Sequence, residues 1–128
     1  MTTWNNVVAF VGGNYKYEAV SDSLLKLLFT VDGGRSQIVF IERTEAGGVE
    51  WVQFHSPIGE ANRLNLAEVA TALGEKVVGG LIIMGEKAFV TTSIPLMNLD
   101  ANEVVQPLEK VMAIADLLEA KFLGVDVH

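Results

Sequence analysis

The stretch "SQIVFIERTEAGGVEWVQFHSPI", residues 36–58, holds two runs of β-branched and aromatic residues separated by a turn that contains Gly47 and Gly48. Such runs favour strands, and a short glycine-containing turn between them favours a hairpin. The segment before it, "LLKLLFTV" at 24–31, could also form a helix, but a strand is favoured because Leu25, Leu27, Phe29 and Val31 alternate with Lys26 and Thr30 and because the turn "DGGR" follows. Residues 24–58 are therefore predicted to form a three-stranded antiparallel meander.

Three segments outside the meander carry apolar residues at helical spacing. The first starts behind Thr2 or Thr3 as the N-cap and ends at the glycine pair 12–13. The second covers residues 65–76, and the third runs from residue 100 to about residue 122. Each has an apolar stripe on one side, so the sequence predicts three amphipathic helices that pack against a shared core.

The two later helices are predicted to begin with the same capping motif. Asn65 precedes Glu68 by three positions, and Asp100 precedes Glu103 by three, which is the spacing of a reciprocal capping box. The apolar residues that flank each cap are placed to form a hydrophobic staple: Leu64 with Val69, and Leu99 with Val104. Pro107 falls inside the last helix, where it is expected to remove one hydrogen bond and bend the axis.

A second hairpin completes the predicted sheet. "VVGGLIIMG" at 77–85 and "KAFVTTSIPL" at 87–96 are strand-like runs, with Gly85 and Glu86 at the tip between them. The prediction is a single α+β domain over residues 1–128, with a five-stranded antiparallel sheet and three helices in the order α-β-β-β-α-β-β-α.

Composition narrows the class of protein. The chain has 128 residues, of which 50% are hydrophobic and 20% charged, so it is long enough and apolar enough to bury a core. It has no cysteine, which excludes disulfides and thiolate chemistry and fits a reducing compartment. The N-terminal stretch lacks the basic residue of a signal peptide, and no apolar run reaches the length of a membrane helix. A cytoplasmic location is expected.

The charge distribution argues against several partners. The net charge is −7, and no two of the nine cations are adjacent in the sequence. Binding to nucleic acids or anionic membranes requires clustered cations that displace counterions from phosphates. We therefore expect neither nucleic acid nor membrane as a partner.

Residues suited to catalysis or metal binding are scarce. The chain has two histidines, His55 and His128, and no cysteine, so a zinc site is poorly supplied. His55 and Ser56 are neighbours on a predicted strand and point to opposite faces, so they do not form a base–nucleophile pair. The glycine pairs match neither phosphate-binding loop pattern. No catalytic residue, metal ligand or cofactor is predicted, and the chain is expected not to be an enzyme.

Four apolar residues are candidates for a partner or dimer surface. Trp51 points opposite to Phe54 along its strand, so one of the two faces away from the helices. Leu117 lies outside the core stripe of the last helix, between two lysines, and Met97 has no structural role in the pattern. Apolar residues on both faces of a sheet indicate that both faces are covered, and we expect a homodimer.

A second hypothesis is a small-molecule sensor with its pocket between the sheet and the helices. Such a pocket needs a few convergent polar groups in an apolar lining. The clustered candidates in the sequence are Arg43, Gln53 and His55.

The second half of the chain resembles the YbjN family of bacterial sensory transduction regulators. The resemblance lies in "ANRLN" at 61–65, "KAFVTTSIPL" at 87–96 and "LDANEVVQPLEKVMAIADLLEAKF" at 99–122. The matching positions are Asn62, Asn65, Pro95, Leu96 and Asp116. Specific residues cover about half of the chain, and the order of elements matches over the rest. The segment "VVGGLIIMG" departs from the family, because it lacks the basic and aromatic residues expected before the hairpin.

This resemblance implies a fold like that of type III secretion chaperones, frequent dimerisation and no enzymatic activity, and it transfers no catalytic or ligand-binding residue. Together with the composition, it favours a non-catalytic protein-binding domain, a chaperone-like or regulatory adaptor that binds itself or an apolar segment of another protein.

Overall fold

A computed structural model describes residues 3–123 of the chain. Within that range the chain forms three α-helices and six β-strands, joined in places by short 3₁₀ turns. The helices are α1 (Trp4–Asn14), α2 (Leu66–Leu73) and α3 (Val105–Phe122). The strands are β1 (Tyr17–Ser21), β2 (Leu24–Thr30), β3 (Ser36–Ala46), β4 (Val49–Glu60), β5 (Gly80–Met84) and β6 (Lys87–Pro95).

The six strands form one antiparallel sheet in the order β1-β2-β3-β4-β6-β5. The first four strands follow each other as a meander, and the β5–β6 hairpin then joins through the pairing of β6 with β4. Strand β4 therefore lies between β3 and β6. In this register Phe40, His55 and Thr91 form a row across three neighbouring strands and share one face of the sheet.

All three helices pack on the other face, here called the covered face. Val7 of α1, Val69 of α2 and Leu108 of α3 are fully buried in one core cluster with residues of the strands. Val52 and Phe54 of β4 belong to the same cluster and are also fully buried. Alternate residues of these strands point the opposite way, to the face that no described helix covers, here called the open face.

The prediction of an α+β domain with three helices and an antiparallel sheet is confirmed, but the strand count is wrong. The sheet has six strands, because residues Tyr17–Ser21 form an edge strand that pairs with β2. All five residues of this strand are exposed. An edge strand with no buried side of its own lacks the alternation of apolar and polar residues from which strands are predicted. The element order becomes α-β-β-β-β-α-β-β-α.

The predicted meander, the second hairpin and the starts of α1 and α2 are confirmed, whereas α3 begins at Val105 and not directly after Asp100. Thr3 caps α1 by accepting a hydrogen bond from the Asn6 backbone N–H, and Asn65 caps α2 by accepting one from the Glu68 N–H at 3.1 Å. Before α3, the Asp100 backbone N–H donates to Glu103 Oε1 at 2.7 Å.

Two helix ends differ from the prediction. Helix α1 continues through the glycine pair to Asn14, and α2 ends at Leu73 rather than at residue 76. Gly12 has a packing role inside α1, since a Cβ there would lie 3.1 Å from Cε1 of Tyr17. The missing side chain leaves room for the Tyr17 ring to pack against the helix.

Pro107 does not interrupt a helix, which corrects the expected bend. The chain first makes a 3₁₀ turn over Ala101–Val104, and α3 begins only at Val105. Pro107 is thus the third residue of the α-helix, where a backbone N–H has no partner within the helix. Its ring therefore removes no helical hydrogen bond and suits the first turn.

The hydrogen bond between Asp100 and Glu103 in the turn before α3 can be tested by mutation. Replacing Glu103 by Ala removes the acceptor of the Asp100 N–H, and we expect the free energy of unfolding to fall by about 1 kcal/mol. Asn102→Ala, in the same exposed turn, serves as the control and should change it by less than about 0.5 kcal/mol. Equal unfolding midpoints in urea for the two variants would show that this cap does not stabilise α3.

Candidate functional site

The open face has an apolar centre of its own, separate from the main core. Its central residues alternate with the core residues along the strands: Lys26, Leu28, Ile38, Phe40, Glu42, Thr44, Trp51, Gln53, His55, Pro57, Ile82, Phe89, Thr91 and Ser93. We call these residues the open-face centre. Its exposed apolar member is Leu28, 64% of whose surface is accessible.

Aromatic rings form the middle of this surface. Phe40 and His55 each lie 6.5 Å, centroid to centroid, from the ring of Phe89, and both pairs have edge-to-face geometry. Phe89 and His55 are 7% and 3% exposed, although neither belongs to the core cluster under the helices. Edge-to-face ring pairs add stability beyond the area that they bury. The three rings therefore form a packed and largely buried platform on the open side of the sheet.

Both ring nitrogens of His55 have polar partners. Nδ1 lies 2.8 Å from Thr91 Oγ1, and Nε2 lies 3.3 Å from Glu42 Oε1. A carboxylate only accepts hydrogen bonds, so the neutral ring carries its proton on Nε2 and accepts from the Thr91 hydroxyl at Nδ1. Burial of the ring lowers the pKa of His55 below its ordinary value, and the interaction with Glu42 opposes that shift.

This row of carboxylate, imidazole and hydroxyl has the order of groups found in nucleophilic catalysis. Here the imidazole is 3% exposed and packs edge-on against Phe89. A general base must come within hydrogen-bonding reach of the proton that it removes from a substrate. The observed bonds instead pair the polar atoms of a buried ring, which is what a buried histidine requires.

A shallow hollow lies beside this platform. It has a volume of about 290 Å³ and is lined by Thr44, Ala46, Trp51, Gln53 and Ser93. The Thr44 hydroxyl donates to Gln53 Oε1 at 2.6 Å, so the polar side chains at its edge are held in place by each other. The Trp51 ring supplies the large apolar wall.

The open-face centre is electrically neutral, although the whole chain is not. Its charged members are Lys26 and Glu42, one of each sign, whereas the chain carries a net charge of −7. Most of the acidic excess therefore lies on other surfaces, although Glu18 of the edge strand β1 is paired with Lys26 on the same face. A neutral apolar face on an acidic protein has the composition of a contact surface.

The three polar residues predicted to share a pocket are separated by the sheet. Gln53 and His55 belong to the open face, whereas Arg43 pairs in register with Val52 and faces the other way. Arg43 forms a salt bridge with Glu50. The space between sheet and helices, where the pocket was expected, is occupied by the core cluster. The predicted convergence of these three groups is wrong, because strand alternation sends Arg43 to the opposite face.

The four residues predicted for a partner surface also separate. Trp51 belongs to the open-face centre, but Phe54 is fully buried under the helices, so its prediction as a surface residue is wrong. Met97, in the turn after β6, is 58% exposed, and Leu117, on α3, is 50% exposed. The second histidine, His128, lies outside the described residues.

Sequence reasoning missed Phe40, Glu42, Phe89 and Thr91, the residues that surround His55. A signal for Phe40 was present in the unbroken apolar run at 38–41, because four consecutive apolar residues on a strand place large side chains on both faces. The pairing of β6 with β4, which brings Phe89 and Thr91 to His55, joins residues more than thirty positions apart and has no local signal.

Comparison with known proteins adds no relative. No model of a known protein family matches the chain, and no curated protein matches it significantly. Among residues 3–123, no helix is long and apolar enough to cross a membrane. In the same range no group of three or more histidine, aspartate or glutamate side chains is arranged to hold a metal ion.

His55 makes the stability of the fold depend on pH. Because its pKa is lower in the folded chain than in the unfolded chain, the unfolded state binds more protons as the pH falls below about 6.5. Stability contributed by the neutral ring is thus complete above that pH and is lost below it. We expect the urea midpoint to decrease from about pH 8 to about pH 5.5, and to decrease less in His55→Gln.

The test compares how the urea midpoints of the wild type and of His55→Gln change with pH. Their absolute stabilities are not compared, because the glutamine variant also changes packing. Parallel slopes for the two proteins between these pH values would show that His55 titrates alike in both states.

Proposed function

We propose that this chain is a non-catalytic protein-binding domain that acts as a homodimer, and that the open face is the surface on which a second copy docks. One observation carries the proposal: on the sheet face that no described helix covers, the exposed Leu28 and the half-buried rings of Phe40 and Trp51 form an apolar surface over the buried rings of His55 and Phe89. Interface centres have this composition, being rich in aromatic residues and depleted of charge.

The size of the open face suits a dimer. Six strands about 4.8 Å apart, each with about seven residues in the sheet, give a footprint on the order of 600 Å². Because side chains roughen the surface, the accessible area is larger than this footprint. A stable interface takes about 800 Å² from each partner. Two such faces can stack about 10 Å apart, as the sheets of a β-sandwich do.

The charge of the chain supports a second copy in particular. Two molecules that each carry −7 repel one another, so they associate best where neither presents excess negative charge. The open-face centre meets this condition and offers Lys26 and Glu42, one charge of each sign. In a two-fold arrangement the same surface is used by both subunits, so opposite charges on one face can pair across the axis.

The polar groups of the open face are also prepared for burial. His55 is paired with Glu42 and Thr91, and Thr44 is paired with Gln53. Covering polar atoms that already have partners costs much less free energy than covering free ones. A partner can therefore exclude water here without leaving these side chains unsatisfied.

A non-catalytic dimer suits the adaptor function, chaperone-like or regulatory, that the resemblance to the YbjN family implies. The sensor hypothesis has less support, because Arg43 faces away from Gln53 and His55 and the space between sheet and helices is filled by apolar side chains.

A matched pair of leucine variants tests the dimer. Leu28 on the open face and Leu117 on α3 are 64% and 50% exposed, so aspartate at either position should leave the monomer folded. We expect sedimentation equilibrium to give about twice 13.8 kDa for the wild type and Leu117→Asp, and 13.8 kDa for Leu28→Asp. Aspartate opposite an apolar surface leaves a buried unpaired charge, which breaks the contact.

Circular dichroism of both variants serves as the check of folding. A wild type that remains at 13.8 kDa at millimolar concentration, or a Leu28→Asp variant that still dimerises, contradicts docking on the open face.

A further inference from the structure

A second surface lies on the helix layer, away from the open face. Two adjoining hollows, of about 500 and 550 Å³, run between α2 and α3, and Glu75 lines both of them. Together they form one groove, here called the α2–α3 groove. Its apolar lining includes exposed side chains: Leu117 is 50% exposed, and Val77, in the loop after α2, is fully exposed.

One stripe of α3 forms a wall of this groove. Lys110, Ile114, Leu117 and Lys121 follow each other at intervals of four, three and four residues, which places them on the same side of the helix. Two apolar residues lie in the middle, and a lysine stands at each end. At 1.5 Å per residue, the two lysine Cα atoms are about 16 Å apart along the axis.

The charges of the groove differ in sign from those of the chain. The groove is lined by Lys76, Lys110 and Lys121 against Glu68 and Glu75, a balance of three minus two, or +1, while the chain carries −7. Acidic residues of α3 point elsewhere: Asp116 binds Arg35, and Glu109 accepts a hydrogen bond from Tyr15. The α3 wall of the groove is therefore basic in an acidic protein.

We propose that the α2–α3 groove binds an amphipathic helix of a partner protein whose apolar stripe has an acidic residue at each end. The apolar stripe lies over Ile114 and Leu117, and carboxylates about three helical turns apart pair with Lys110 and Lys121. A helix that lays its apolar face into a hydrophobic groove is a common form of peptide recognition, anchored by residues at i, i+3 or i+4, and i+7.

The choice of an acidic helix as the bound partner rests on charge complementarity. Lys121 is partly positioned already, with its ammonium 5.3 Å from the centre of the Phe122 ring at the end of the groove. An apolar helix flanked by lysines would meet the like charges of Lys110 and Lys121, and placing like charges together opposes binding. The α3 wall therefore favours an acidic helix over a basic helix of equal apolarity when the charged residues of the helix lie toward Lys110 and Lys121 and away from Glu68 and Glu75.

The test uses three fluorescently labelled synthetic helices of about 16 residues, long enough to cover the stripe. The first carries a leucine stripe flanked by glutamates, the second has lysines in place of those glutamates, and the third keeps the glutamates but has serines in place of the leucines. Fluorescence anisotropy measures their binding to the full chain, to Leu28→Asp, to Leu117→Asp and to the double variant Lys110→Glu/Lys121→Glu.

We expect the first peptide to bind the wild type and Leu28→Asp equally, and at least about tenfold more tightly than either of the other peptides. Its affinity should fall by a similar factor in Leu117→Asp, and the double variant should prefer the lysine peptide. Failure of the first peptide to bind, or equal binding of the glutamate and lysine peptides, overturns the proposal. So does loss of the dimer in Leu117→Asp, which would place a second copy in the groove.

The open-face dimer and the helix-binding groove can be refuted independently of each other. Loss of dimerisation in Leu28→Asp with unchanged peptide binding supports both, whereas peptide binding by a wild type that is monomeric refutes only the open-face dimer.

Discussion

The two-residue repeat of side chains along β4 is the constraint on which the rest of the structure depends. This strand lies between β3 and β6, and its even-numbered residues Val52 and Phe54 are fully buried beneath the helices. Trp51, Gln53 and His55 consequently reach the open face. A shift of register by one residue would exchange the two sets and expose the core, so the covered core and the open platform specify each other. The proposed binding surface is thus a direct result of how the core is packed.

Much of the fold could be predicted because it depends on local patterns. Turn glycines, helix caps and apolar spacing act within a few residues, and they correctly placed the meander, the second hairpin and the three helices. The strand Tyr17–Ser21 could not be found in this way, because an exposed edge strand is defined by its partner and not by its own alternation. The 3₁₀ turn over Ala101–Val104 has the capping pattern of an α-helix, so the predicted helix began four residues too early. Pro107 was therefore expected inside the helix, whereas it lies in the first turn.

The candidate site was predictable only in part, because it depends on pairing between distant strands. Alternation indicated that Trp51 and Phe54 face opposite ways, but only the position of the helices decides which of them is buried. The same alternation would have separated Arg43 from His55 once the hairpin register was known, since Arg43 lies opposite Val52. The partners of His55 come from β3 and β6. Strand β6 pairs with β4 although helix α2 lies between them in the sequence. Long-range pairing of this kind leaves no pattern within a single segment.

The two proposed surfaces differ in a way that separates their roles. The open-face centre is neutral and rigid, with rings fixed edge to face and polar groups already paired, so a partner that docks there loses little conformational entropy and needs no opposite charge. A second copy of an acidic chain is such a partner. The α2–α3 groove has exposed apolar side chains and long lysines that must be ordered on binding, and its charge opposes that of the chain. Favourable ion pairs can offset that ordering cost only if the bound helix places carboxylates opposite Lys110 and Lys121, so the two surfaces select their partners by different chemistry. A domain that joins its own copies through one face and holds an acidic helix on the other side has the geometry of an adaptor, since both contacts can form at once.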